Sequence, residues 1–236
     1  MTLDKQAIKE KTRRVLDPVV VGLSSLGVPP ILISVFGLVF SFYGAILVAK
    51  GSLFWGGIWL LISGVCDILD GAVARHRGQA TKFGAFIDST FDRISELVYF
   101  GAILVYFANR AETYSTLMTV IIWIALGGSF LVSYARARIE GLGYPCTIGL
   151  LERPERLTLL ILGLLLGHRM LSFTLTLIAF GTVITVLQRV HYAHEVTQGG
   201  VGGTASAGDA GLPHDTTSPE TDKPQTDNQP PEDTSL

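Results

Sequence analysis

The charge of this chain is segregated. Long stretches without a single ionisable side chain alternate with short segments where the charges collect. Ile31 to Ala49 carries no Asp, Glu, Lys, Arg or His at all, and about 20 residues at 1.5 Å rise span the ~30 Å hydrocarbon core of a bilayer. In hydrocarbon every backbone N–H and C=O must be paired internally, so a run of this kind forms a helix. Leu53–Val65 and Leu117–Tyr134 repeat the pattern, and Ile94–Ala108 does so with a single charge, Glu96. The run from Leu157 to Leu187 is too long for one ordinary span and is interrupted by Gly167-His168-Arg169. It reads as two short spans with a turn there, one long tilted helix being the alternative. The expectation is an all-α membrane protein of six transmembrane helices. Composition agrees: 16% of residues are charged, where a soluble domain carries about 25%.

Ahead of the first span, residues 1–27 mix Lys and Arg with Leu3, Ile8, Val15, Leu16, Val19, Val20 and Leu23, the pattern of an amphipathic helix lying in the membrane interface. The first apolar run begins only near residue 30 and has full spanning length, unlike a cleaved signal peptide. Residues 28–194 are the expected transmembrane domain. Residues 195–236 turn abruptly to Gly, Ser, Thr, Pro and acidic side chains and are expected to form a disordered cytoplasmic tail. With the N-terminus inside, fourteen Lys and Arg fall on inner segments and only Lys50, Arg110 and Arg169 on outer turns. That bias puts both termini and the clustered charges on the cytoplasmic face of the plasma membrane. A net charge of −2 offers no general attraction to nucleic acid. Cys66 and Cys146 sit in no metal-binding or disulfide spacing.

The informative segment is Asp67-Ile-Leu-Asp70-Gly71-Ala-Val-Ala74-Arg75, followed eight residues later by Gly84-Ala-Phe-Ile-Asp88-Ser-Thr-Phe-Asp92. On helices, Asp67 and Asp70 share one face at i, i+3, and Asp88 and Asp92 share another at i, i+4. The link containing Gly78 and Gly84 lets the two helices run antiparallel and bring both pairs to the inner membrane edge. Four carboxylates at that depth repel one another and are expensive to ionise. Hard divalent cations relieve both costs, and two such ions can clamp a phosphate. Gly71 and Ala74 leave room beside Asp67 and Asp70 for a ligand's phosphates and sugar. Ordinary interfacial charges capping helix ends would not call for this spacing.

The pattern D-x2-D-G-x2-A-R-x8-G-x3-D-x3-D, matched at all eight fixed positions, resembles the signature of the CDP-alcohol phosphatidyltransferases. The resemblance in architecture covers roughly residues 1–194. It implies that CDP-diacylglycerol meets an alcohol and CMP leaves. It further implies that Asp67, Asp70, Asp88 and Asp92 hold two Mg2+ or Mn2+ ions, with Asp92 also the general base for the attacking hydroxyl. Gly71, Arg75 and Thr81 would contact the cytidine diphosphate. Pro30-Ile-Leu-Ile-Ser34-x2-Gly37 resembles the family's first-helix pattern, so Ile31, Leu32, Ile33 and Ser34 would receive the nucleotide on the free N–H groups of a helix start. Ile31 replaces the family's frequent Asn or Asp and loses a side-chain hydrogen bond. The resemblance also implies a homodimer, for which Gly101, Gly127 and Gly128 offer close helix approach.

Beyond the signature stand Ser133-Tyr-Ala-Arg136-Ala-Arg138, Glu152-Arg153-Pro-Glu155-Arg156 and Leu187-Gln-Arg189. Guanidinium forks match phosphate oxygens bidentately, which favours an acceptor that itself carries a phosphate. Within the family these segments resemble phosphatidylinositol phosphate synthases, implying Arg136, Arg153 and Arg189 as ligands of inositol phosphate. Arg136 stands where those enzymes often have Lys. Arg138 reads as an anchor to anionic lipid head groups, and Glu152, Glu155 and Arg156 as pairing among themselves. Glycerol phosphate, giving phosphatidylglycerol phosphate, is the alternative acceptor. A divalent-metal transporter is the alternative class, although it would want carboxylates near the midplane.

Overall fold

The computed structural model describes residues 17–110 and 115–198. Most of the expected interfacial helix and almost all of the expected tail lie outside them. The described residues are helical and contain no strand. α1 covers residues 17–25. It is followed by α2 (Pro30–Ala49), α3 (Leu53–His76), α4 (Lys82–Ala108), α5 (Ser115–Gly141), α6 (Arg153–Leu166) and α7 (His168–Gln198).

α2, α3 and α5 follow the apolar runs, and each is long and apolar enough to cross a membrane, as is α7. α4 is longer than its apolar run because it begins inside the charged segment and carries Asp88, Asp92 and Arg93 in its first half, with Glu96 just beyond. The stretch 157–187 is broken at Gly167, whose φ of 92° is open to glycine and strained for other residues. The two pieces are unequal. α6 has 14 residues, about 21 Å of helix, while α7 has 31. Four of the described helices therefore qualify as spans on their own. Phe36, Phe42, Trp55, Trp123, Phe173 and Phe180 are all exposed, a surface that suits lipid and would aggregate in water. The protein is an integral membrane protein.

Glycines set how closely the helices approach. A Cβ on Gly44 of α2 would lie 2.0 Å from the Tyr99 hydroxyl and 2.8 Å from Trp59 Cβ, and one on Gly56 of α3 would lie 2.3 Å from Val48 Cγ2. Tyr99 of α4 closes the contact by donating its hydroxyl to the Gly56 carbonyl at 2.9 Å. α2, α3 and α4 thus pack around one buried tyrosine. α5 packs on α7 where Gly128 faces Thr182, and α6 packs on α3 and α7. At the end of the bundle where α3 finishes, Val20, Ile33 and Val73 join α1, α2 and α3 in a separate small cluster. Arg77 secures that end by donating to the carbonyls of Val28 and Ser24 at 2.9 and 3.0 Å.

Candidate active site

The site is built where α3 ends and α4 begins. α3 stops because Gly78, at φ 65°, lets the Gln79 N–H reach back to the Ala74 carbonyl at 2.9 Å, satisfying a carbonyl the helix would leave free. Thr81 then starts α4 by accepting the Gly84 N–H on its hydroxyl at 3.0 Å, an N-cap worth about 1 kcal/mol. The short turn folds α4 back along α3. Carboxylate oxygens of Asp67, Asp88 and Asp92 come within 4.8 Å of one another. Asp70 lines the same cavity of about 30 Å³, but its carboxylate accepts a hydrogen bond from Ser34 of α2. Three clustered carboxylates with a fourth beside them form an oxygen-only donor set, which fits a hard divalent cation.

A guanidinium already stands among them. Arg153, the first residue of α6, donates to Asp67 Oδ2 at 3.2 Å and pairs with Asp92. It lines the aspartate cavity together with Ser34, Ser63 and Ser95. Arg153, expected for an acceptor's phosphate, is thus brought to the aspartates themselves.

A larger cavity of about 430 Å³ adjoins the first and shares Ser34, Asp70 and Asp88 with it. Ile31, Gly71, Ala74, Arg75, Thr81 and Gly84 complete its signature lining. Five of the seven residues expected at the CDP-lipid are thereby brought together: Ile31, Ser34, Gly71, Arg75 and Thr81. Leu32 is exposed and Ile33 is buried in the small cluster against Val73; neither lines this cavity. A Cβ on Gly71 would meet the Arg75 guanidinium at 3.2 Å, so the glycine keeps that arginine close to the helix.

The other two expected acceptor arginines line neither cavity. Arg136 is exposed near the end of α5, its Nε bonded to Glu140 at 2.8 Å. Arg189 is 2% exposed, donating to the carbonyls of Val132 and Ile148 with Glu152 3.6 Å away. It ties α7 to α5 and to the segment that leads into Arg153. Glu152 thus faces Arg189, and Arg156 does not pair within its own segment. Arg156 is buried and reaches Glu96 of α4, with Nη2 at 2.9 Å and Nε at 3.2 Å from Oε1. The sequence signal for that contact was present: a single carboxylate four residues past Asp92, inside an apolar run, needs a partner.

Carboxylates at a membrane-embedded helix pair, an arginine among them and an adjoining cavity define a class. Residues 28–195 match the CDP-alcohol phosphatidyltransferase family, and the chain belongs to that family: it is a transferase. Among its relatives, phosphatidylinositol phosphate synthase of Mycobacteroides abscessus is 34% identical over 189 residues, covering 78% of this chain and 85% of the relative. Archaetidylinositol phosphate synthase of Methanothermobacter thermautotrophicus is 36% identical over 185 residues, covering 76% and 89%. The crystal structure of Mycobacterium tuberculosis phosphatidylinositol phosphate synthase with CDP-DAG bound superposes with a TM-score of 0.70 at 34% identity, covering 76% of this chain and 94% of that one. The same enzyme has been solved in complex with manganese and citrate, with a TM-score of 0.69 to this chain, covering 75% and 88%.

Proposed function

We propose that the protein transfers the phosphatidyl group of CDP-diacylglycerol to inositol phosphate, giving phosphatidylinositol phosphate and CMP. The observation that carries this reading is Arg153 ion-paired to Asp67 and Asp92, beside a cavity large enough for a nucleotide. The relatives with inositol phosphate synthase activity in their names support the choice of acceptor.

In this reading the cytidine diphosphate lies in the larger cavity, against Gly71 and Arg75 and the first turn of α2. The lipid tails leave it toward the bilayer. An acceptor hydroxyl oxygen bonds to the phosphorus that carries the diacylglycerol, and the bond from that phosphorus to CMP breaks. Asp92 receives the hydroxyl proton, being the last carboxylate of the signature and within reach of Arg153. Two divalent ions, Mg2+ or Mn2+, held by Asp67, Asp70, Asp88 and Asp92, would polarise the phosphorus and offset charge on the leaving CMP. Arg153 orients the acceptor through its phosphate. Arg189 serves the acceptor side as a brace for residues 148–152, and Arg136, exposed near the end of α5, is felt electrostatically by Glu152 of that segment.

α4 and α6 complete six spans in this reading, with the aspartates and both termini on the cytoplasmic side, following the Lys and Arg bias. Residues 1–27 and 195–236 flank the catalytic domain as interfacial helix and tail. A homodimer would use faces such as those at Gly101 and Gly127, where an added Cβ meets nothing within 4 Å. Gly128 is taken by Thr182 of the same chain.

Purified protein given CDP-diacylglycerol, Mg2+ and a panel of acceptors tests the proposal through CMP release. Inositol phosphate should be preferred over free inositol and glycerol phosphate. Preference for glycerol phosphate would make the enzyme a phosphatidylglycerol phosphate synthase. Metal flux into proteoliposomes with no CMP released from any acceptor would replace the enzyme by a transporter.

A further inference from the structure

α4 and α6 are tied together by two arginine–carboxylate rungs. The first joins Arg153 to Asp92 in the aspartate cavity. The second joins Arg156 to Glu96. Arg153 and Arg156 are i, i+3 on α6, and Asp92 and Glu96 are i, i+4 on α4, so the rungs lie one helical turn apart on facing stripes. The second rung is buried on both sides, Arg156 at 2% and Glu96 at 8% exposure. Its guanidinium also donates Nη1 to the Leu151 carbonyl at 3.3 Å, which fixes the chain just ahead of Arg153. Arg93 Nη1 is the other cation facing Glu96, at 3.9 Å. A cavity of about 20 Å³ joins the rungs, lined by Asp92, Ser95, Glu96, Tyr99 and Arg153. α6 otherwise rests on α3 and α7, so this ladder is what sets its first turn against α4.

We infer that Glu96 and Arg156 are a positioning pair for the reaction: they hold the first turn of α6 so that the Arg153 guanidinium stays at the aspartate cavity, where the proposed acceptor phosphate would meet it. The inference rests on the proposed reading of Arg153 as the acceptor-phosphate ligand. Removing one partner of a buried pair leaves the other charge uncompensated and free to move, and misplacing a reacting group by about 1 Å costs on the order of a hundredfold in rate.

A double-mutant cycle between Glu96 and Arg153 tests it, run with whichever acceptor the wild-type enzyme uses best. A wrong acceptor assignment then appears in the wild-type panel and leaves the cycle readable. Glu96→Ala should lower kcat/KM for the acceptor by about a hundredfold and leave KM for CDP-diacylglycerol nearly unchanged. Glu96→Gln, which keeps an acceptor for Arg156, should recover much of that loss. In the Arg153→Ala background, Glu96→Ala should add little. Should Glu96→Ala not accumulate in membranes, Arg156→Lys carries the same cycle, since it keeps the charge but withdraws the fork from Leu151. Full additivity of the two losses, or an equal change in both KM values, would overturn the inference. So would wild-type kinetics in the single variant.

Discussion

A carboxylate in this site answers to what surrounds it more than to its place in the signature. Asp67, Asp88 and Asp92 cluster within 4.8 Å, whereas Asp70 is turned toward Ser34, although all four have equivalent places in the sequence pattern. Asp92 differs again, being buried and paired with Arg153. Asp92→Asn keeps the size of the side chain and removes its basicity. In CMP-release assays it should lower turnover by roughly 10²–10⁴-fold, the range of general-base contributions. Binding of CDP-diacylglycerol, followed by tritration of a labelled analogue, should weaken only a few-fold, since Asp92 lies outside the larger cavity. Normal CMP release by the variant would remove Asp92 from the role of base.

The helices depend on close approach at small residues, because helix association in lipid gains little from apolar burial. Gly44 shows how tight the fit is. Its absent Cβ would overlap the Tyr99 hydroxyl, and that hydroxyl is held on the Gly56 carbonyl. Gly44→Ala should destabilise the protein by about 1–3 kcal/mol, as overpacking does. Thermal unfolding in detergent would show the loss. Gly141→Ala is the matched control, because an added methyl there meets nothing within 4 Å, and its melting temperature should stay near wild type. Equal melting temperatures for the two variants would mean that α2, α3 and α4 do not pack around Tyr99 as described.

At the scale of the whole molecule, the fold brings distant segments to one end of the bundle. Ser34, Asp67, Asp88 and Arg153 come from four different helices and line one cavity. The proposed topology puts that end in the cytoplasm and Lys50 and Arg169 outside. In a background with Cys66 and Cys146 replaced, Lys50→Cys and Arg169→Cys should react with a membrane-impermeant thiol reagent added to intact cells. Gln79→Cys and Glu140→Cys should react only after permeabilisation. Labelling of Gln79→Cys in intact cells would reverse the orientation while leaving the site geometry untouched.

The sequence by itself determined the helical membrane class and the aspartate signature, because these follow from local rules. Uncharged length demands a spanning helix, and i, i+3 or i, i+4 spacing puts carboxylates on a common face. Residues 157–187 read as one helix or two until the positive φ of Gly167 in the folded chain separated α6 from α7. The sequence also determined the family. It did not determine which charged side chains meet across the bundle. Arg153, Arg156 and Arg189 look alike in their segments, each an arginine at the boundary of an apolar run. Tertiary packing sends the first to the aspartates, the second to Glu96 and the third to the carbonyls of Val132 and Ile148. The physical reason is that a buried guanidinium goes where unpaired acceptors are, and only the packed helices decide where those acceptors lie.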